Sequence, residues 1–152
     1  MNGFATNDMK RLKYLTGEIE GLYHEAAWKL GLADSTMQIL YCFCNSKDPC
    51  LLSDICRLSG TSKQTINSAL RKLEAEGILY LEPYQGKQKK VCLTAQGRAL
   101  AESTVKQLIE IENHILDSWK EEERKIYLEL TRRYLADLKK EVQTLKPQPP
   151  VL

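Results

Sequence analysis

Nowhere do these 152 residues hold an apolar run approaching the roughly 20 that a membrane-spanning helix requires. The opening MNGFATNDMK has no basic stretch followed by an apolar one, so no secretory signal is expected. The chain is therefore expected in the cytoplasm, with no membrane partner. Histidine is scarce: His24 and His114 stand alone, and Glu110, one helical turn before His114, adds only a second ligand. The five cysteines, Cys42, Cys44, Cys50, Cys56 and Cys92, contain no CxxC pair and no zinc spacing. No metal and no cofactor are expected. The eight glycines are scattered rather than gathered into a phosphate-cradling loop. Nor does any nucleophile with a base, or any carboxylate pair, stand out, so the chain does not read as an enzyme.

What is present is an ordinary globular composition, 43% hydrophobic and 28% charged. The formal net charge of +2 is spread unevenly. Residues 59–90 carry Lys63, Arg71, Lys72, Lys87, Lys89 and Lys90 against Glu74, Glu76 and Glu82, a net of +3. Residues 91–118 carry Arg98 and Lys106 against Glu102, Glu110, Glu112 and Asp117, a net of −2. Positive charge is concentrated in mid-chain, where a polyanion would be met.

Hydrophobic period divides the chain into six helices and a hairpin. Leu12, Leu15, Ile19, Leu22 and Tyr23 recur at helical steps within 7–30, with Thr6 or Asn7 as cap and Gly31 as stop. Ser35-x-x-Gln38 fits a capping box for a second helix through Met37, Ile39, Leu40 and Phe43, broken across Asn45–Pro49. Ser53 opens a short third helix that closes near Gly60. A fourth starts at Thr61 or Ser62, buries Ile66, Ala69, Leu70 and Leu73, and stops at Gly77. The period then changes: ILYLEPY and VCL flank QGKQKK and form a β-hairpin with Gly86 at its tip. Thr94 caps one long helix over about 95–117, and a last helix over about 119–145 ends at KPQPP. The fold class is mainly α with a small β-hairpin wing.

The block 53–76 carries the functional argument. Two short helices across a tight Ser59-Gly60-Thr61 turn form a helix-turn-helix, with Ile55 and Leu58 packing on Ile66, Leu70 and Leu73. Ser62, Lys63, Gln64, Thr65, Asn67, Ser68, Arg71 and Lys72 are then left for the outward side. Gln and Asn pair with adenine edges; Arg and Lys pair with guanine or phosphate. A polar face on an isolated helix is usually only a solvated one. Here it is followed by Lys87, Lys89 and Lys90 in a turn that needs only Gly86 to close. Double-stranded DNA is the partner this combination fits.

Two stretches, LSGTSKQTINSALRKLEAEGIL and VCLTAQGRAL, resemble MarR-type regulators, and the flanking long helices match that family in number and order over about residues 8–145. The resemblance implies a homodimer held by the first and last two helices, binding a pseudo-palindromic operator, commonly released by a small organic effector or by thiol oxidation. The implied division is 1–34 dimerisation helix, 35–93 winged lobe (recognition helix about 62–76, wing about 78–93), and 94–152 dimerisation helices with a proline-rich tail. The family's wing commonly carries Asp-x-Arg; here Gln85 and Lys87 stand there, and lysine lacks arginine's planar fork. Phosphate anchoring is what this wing offers. Ser68 stands where many relatives place arginine, shifting base reading toward Gln64, Asn67 and Arg71.

The terminal helices carry longer apolar stripes than one small lobe covers, which also favours a two-fold dimer, with recognition helices about 34 Å apart. Tyr14, Tyr23, Trp28 and Tyr41 are candidate effector contacts, although burial in the core is the commoner use of such aromatics. Relatives that sense peroxide keep a cysteine near the start of the first helix, and none stands there. Cys50, on an expected loop, and Cys56, beside Arg57, are the candidate redox thiols. Cys42 and Cys44, two apart on a helix, point to different faces and do not suit each other.

Overall fold

The computed structural model describes residues 3–45 and 50–151. The break expected across Asn45–Pro49 falls, beyond Asn45, outside the described residues. The chain forms two compact units that divide between Glu110 and Ile111.

The first unit opens with α1 (Asn7–Lys29), capped by Thr6, whose hydroxyl accepts from the Met9 N–H at 3.2 Å. Gly31 ends it with φ +71°, a left-handed turn that glycine takes without a Cβ penalty. Helix α2 (Asp34–Asn45) begins one residue before Ser35, so the expected Ser35–Gln38 capping box is not its start. Asp34 instead supplies charge in the first turn and bonds His24 of α1 at 2.8 Å.

Strand β1 (Cys50–Leu51) leads directly into α3 (Leu52–Ser59). Ser53 is not the cap of α3; it lies inside the helix, and the Asp54 carboxylate accepts from the Leu51 N–H at 3.1 Å. Helix α4 (Lys63–Ala75) starts at Ser62, the second of the two expected caps. Strands β2 (Leu79–Pro83) and β3 (Lys89–Leu93) form the hairpin, with Gly86 in its turn at φ +59°. The wing is more than that hairpin. β1 pairs with the other edge of β3, giving an antiparallel sheet in the order β1-β3-β2.

The single helix expected over 95–117 is two, α5 (Ala95–Ser103) and α6 (Val105–Asp117). Thr104 breaks the run at φ −124°, ψ −86°, and its buried hydroxyl donates back to the Leu100 carbonyl at 2.6 Å. That back-bond competes with helix continuation. The core gathers Ile39, Leu40 and Cys42 of α2, Ile55 of α3, and Ile66, Leu70 and Leu73 of α4. Ile78, Leu79 and Val91 of the sheet region complete it with Ala101, Val105 and Leu108. Burying each of the larger aliphatic side chains contributes roughly 1.5–3 kcal/mol. Ile55 packs inward as expected, but Leu58 does not: it is 45% exposed.

The second unit comprises the end of α6 and α7 (Glu121–Val142), trimmed at both ends relative to the expected 119–145. Arg124 donates to the Leu116 carbonyl at 3.2 Å and the Trp119 carbonyl at 2.8 Å, satisfying acceptors left at the α6 terminus. Trp119 and Tyr127 meet edge to face at 5.4 Å. No residue of α7 is buried. Among the described residues no helix is long and apolar enough to cross a membrane.

Candidate nucleic-acid interface

The site is built on α4 and the wing. Ser62 caps α4 by accepting from the Thr65 N–H at 3.3 Å, and the two hydroxyls lie 2.9 Å apart. These side chains therefore hold the start of the helix, where its partial positive charge lies. Upstream, the Thr61 hydroxyl donates to Gln38 Oε1 at 3.3 Å, tying the turn to α2.

Three stripes run along α4. Ile66, Leu70 and Leu73 form the buried stripe, anchoring the helix to the core. Gln64, Ser68 and Arg71, at spacings of four and three, form an exposed one. Ser68 spends its hydroxyl proton on the Gln64 carbonyl at 3.0 Å, so Gln64 and Arg71 carry the reaching groups of that stripe. Lys63 and Asn67 lie between the two. They line a groove of about 550 Å³ together with Lys87, Gln88 and Lys89 of the wing, over an apolar floor that includes Leu52, Leu70, Leu81 and Val91. The structure thus brings Lys63, Asn67, Lys87 and Lys89 together. Lys72 is exposed in the last turn of α4.

Lys90 has another task. Its ammonium lies 3.3 Å from Glu82, directly opposite across the hairpin, with a third of its side chain exposed. The Tyr84 N–H to Gln88 carbonyl bond (2.9 Å) and the Gln88 N–H to Gln85 carbonyl bond (3.0 Å) close the turn. This turn carries Lys87, which is exposed.

The aromatics are placed differently from the core expectation. Tyr14 is 68% exposed and Trp28 78%, and Tyr23 is also exposed; only Tyr41 is half-buried, against the core. Fourteen residues of helix separate Tyr14 from Trp28, about 21 Å, so one small cavity of this protomer does not take both. Tyr14 lines a shallow surface depression with Asn7, Lys10, Arg11 and Leu15.

The cysteines are also redistributed. Cys50 is not an exposed loop thiol; it sits in β1 and is 2% exposed, because pairing with Val91 of β3 draws it into the core. Cys56 is half-buried and opens onto the lysine-lined groove. Cys44 is exposed, yet partial burial of its thiol pushes its pKa above the ordinary value. Glu102 adds to that rise and Lys106 opposes it. Its alkylation by iodoacetamide, followed against pH, is expected to rise at higher pH than that of an unperturbed thiol; coincident profiles would contradict this placement. Among the described residues no group of three or more potential ligands gathers for a metal.

Residues 30–88 match the model of the MarR family. The likeness covers the winged lobe, less than half of the chain. Solved structures share the fold of this chain. S. aureus MepR in its DNA-binding conformation superposes with a TM-score of 0.72 at 19% identity, over 88% of this chain and 99% of that one. The S. aureus MepR–DNA complex gives 0.67 at 20% identity, over 88% and 96%. Bordetella bronchiseptica BpsR, whose DNA binding is regulated by 6-hydroxynicotinic acid, gives 0.61 at 19% identity, over 88% and 98%. A sequence comparison with curated proteins returns no match.

Proposed function

We propose that this chain is a MarR-family regulator, a homodimeric repressor that holds a pseudo-palindromic operator and acts in the cytoplasm. The supporting observation is the shared groove. Lys63 and Asn67 at the start of the recognition helix face Lys87 and Lys89 of the wing across one surface. A helix entering the major groove there puts Gln64, Asn67 and Arg71 at base edges, while Lys63, Lys87 and Lys89 take phosphates. Lys90, bound to Glu82, stiffens the wing and adds little to the contact. Dimerisation runs through α1 and the C-terminal helices, which supplies the second half-site. The effector is a small organic molecule, a reading supported by the BpsR likeness.

The test is selection from random duplex DNA at two salt concentrations, with the retained sequences read. A recovered pseudo-palindrome with affinity falling as salt rises is the expected result. Three phosphate contacts per subunit, six per dimer, give a slope of log K against log salt of about −5. A salt-independent interaction, or none from a folded dimer, would transfer the surface to a protein partner.

Single substitutions separate the two kinds of contact. Arg71→Ala is expected to weaken operator binding by roughly 10- to 100-fold and relax preference at one position per half-site. Lys87→Ala is expected to weaken all sequences alike and to make the salt slope shallower by about 1 per subunit. Unchanged binding in both variants, measured by fluorescence anisotropy, would remove this surface from the reading.

A further inference from the structure

The turn that leads into α4 is held by a chain of hydrogen bonds that ends on α2. Gly60 closes α3 in the left-handed region at φ +65°, and its N–H donates to the Cys56 carbonyl at 2.9 Å. The Ser59 hydroxyl donates to the same carbonyl at 3.4 Å and accepts from the Thr61 N–H at 3.1 Å. The Thr61 hydroxyl then donates to Gln38 Oε1 at 3.3 Å, across 23 positions of sequence. Thr61 and Gln38 are both half-buried, so less water competes for this bond than at an open surface. Gln38 itself stands on a fixed base, because Met37, Ile39 and Leu40 beside it in α2 are buried in the core.

Helix α4 is joined to the core through its Ile66, Leu70 and Leu73 stripe. Apolar burial is non-directional, so such a stripe tolerates a small rocking of the helix that a directional hydrogen bond resists. Gln64 lies six residues before Leu70, about 9 Å along the axis. Rocking by about 10° around Leu70 moves Gln64 by roughly 1.6 Å, several times the ~0.5 Å over which hydrogen-bond lengths vary. Arg71, next to that pivot, hardly moves. We propose that Gln38, acting through Thr61, is a positioning residue that fixes the start of α4 so that Gln64 reads its base edge. The inference rests on the duplex-DNA reading above. Phosphate attraction to Lys63 and the wing lysines falls off slowly with distance, so the same rocking leaves sequence-independent binding in place.

The test compares the parent chain with Thr61→Val, Thr61→Ser, Gln38→Leu and the double variant Gln38→Leu with Thr61→Val, each shown folded by circular dichroism and thermal melting. Selection from random duplexes gives the parent's operator, and Gln64→Ala marks the positions whose preference Gln64 sets. Fluorescence anisotropy then measures every variant on that operator and on a scrambled duplex. Thr61→Val keeps the side-chain shape and removes the donor. It is expected to bind the operator about 10-fold more weakly, within the range that one base contact carries. Its affinity for the scrambled duplex and the salt slope there are expected to match the parent's. Preference relaxes at the Gln64 positions and persists at those set by Arg71. Thr61→Ser keeps the hydroxyl and is expected to behave as the parent does. The double variant is expected to lose no more than either single one, since both break the same bond. Equal losses on operator and scrambled duplex are what a merely loosened fold produces, and they overturn the role. So do variants that read the operator as the parent does, a Thr61→Ser that fails like Thr61→Val, or additive losses in the double variant. A parent that selects no operator overturns the DNA reading itself, and the role of Gln38 with it.

Discussion

Gly97→Ala is expected to destabilise the winged lobe by about 3 kcal/mol, the upper end of ordinary overpacking. That corresponds to a fall of roughly 10 °C in Tm for a unit of this size. The cause is a backbone approach. A methyl group on residue 97 would fall on the carbonyl oxygen of Ile78, within 3.1 Å of its carbon and 3.2 Å of the Leu93 side chain. That oxygen has no room to yield, because it accepts from both the Thr94 N–H at 3.1 Å and the Thr94 hydroxyl at 3.0 Å. The same Thr94 hydroxyl accepts from the Gly97 N–H at 3.0 Å, capping α5. One contact therefore sets where α5 leaves the sheet, and relieving the clash means losing the cap. Differential scanning calorimetry decides it, with Arg98→Ala as the exposed neighbour expected to shift Tm little. A Gly97→Ala variant melting with the parent would mean that α5 does not approach Ile78 so closely.

Gly97 also shows how far the sequence alone reaches. It stands in VCLTAQGRAL, a stretch that marks a family, but its physical reason is a tertiary contact with a carbonyl nineteen positions earlier. Local signals were legible: Thr6 and Ser62 as caps, Gly77 and Gly86 in left-handed turns, and the Ile66–Leu70–Leu73 stripe. Signals that depend on assembly were not. β1 is two residues long, too short to show an alternating pattern, and it exists because β3 offers it an edge. Missing it left Cys50 in a loop and hid its burial. The break at Thr104 was invisible because apolar residues keep helical spacing on both sides, so only its back-bond marks the end of α5. On the proposed DNA-facing side, residue types were readable but the division of labour among lysines was not. Lys87, Lys89 and Lys90 look alike in sequence, and only the hairpin register sets Lys90 opposite Glu82.

Charging the apolar stripe of α7 is expected to have the other large effect. Ile126, Leu130, Leu138 and Val142 are each 45–56% exposed, and Leu145 beyond the helix is 72% exposed. On α1, Leu12, Leu15, Ile19 and Leu22 are 43–63% exposed at heptad-like spacing. An uncovered aliphatic stripe on a long helix is what the proposed two-fold dimer would cover, and each of these helices carries one. The paired substitution Leu130→Glu with Leu138→Glu removes no buried side chain from the protomer, since α7 has none. It places two carboxylates where the proposed interface is dry, and an unpaired charge buried there costs several kcal/mol. Sedimentation velocity is expected to show a dimer for the parent and a monomer for the variant, with helical content retained. Operator affinity is expected to fall at least 100-fold, because a dimer gains about 10²–10⁴ from holding its second half-site at high effective concentration. That loss exceeds the one expected for Arg71→Ala, although neither leucine lies on the winged lobe. A variant that remains dimeric would remove α7 from the interface. A monomer that keeps full affinity would show instead that one lobe suffices, and the pseudo-palindrome would lose its physical basis.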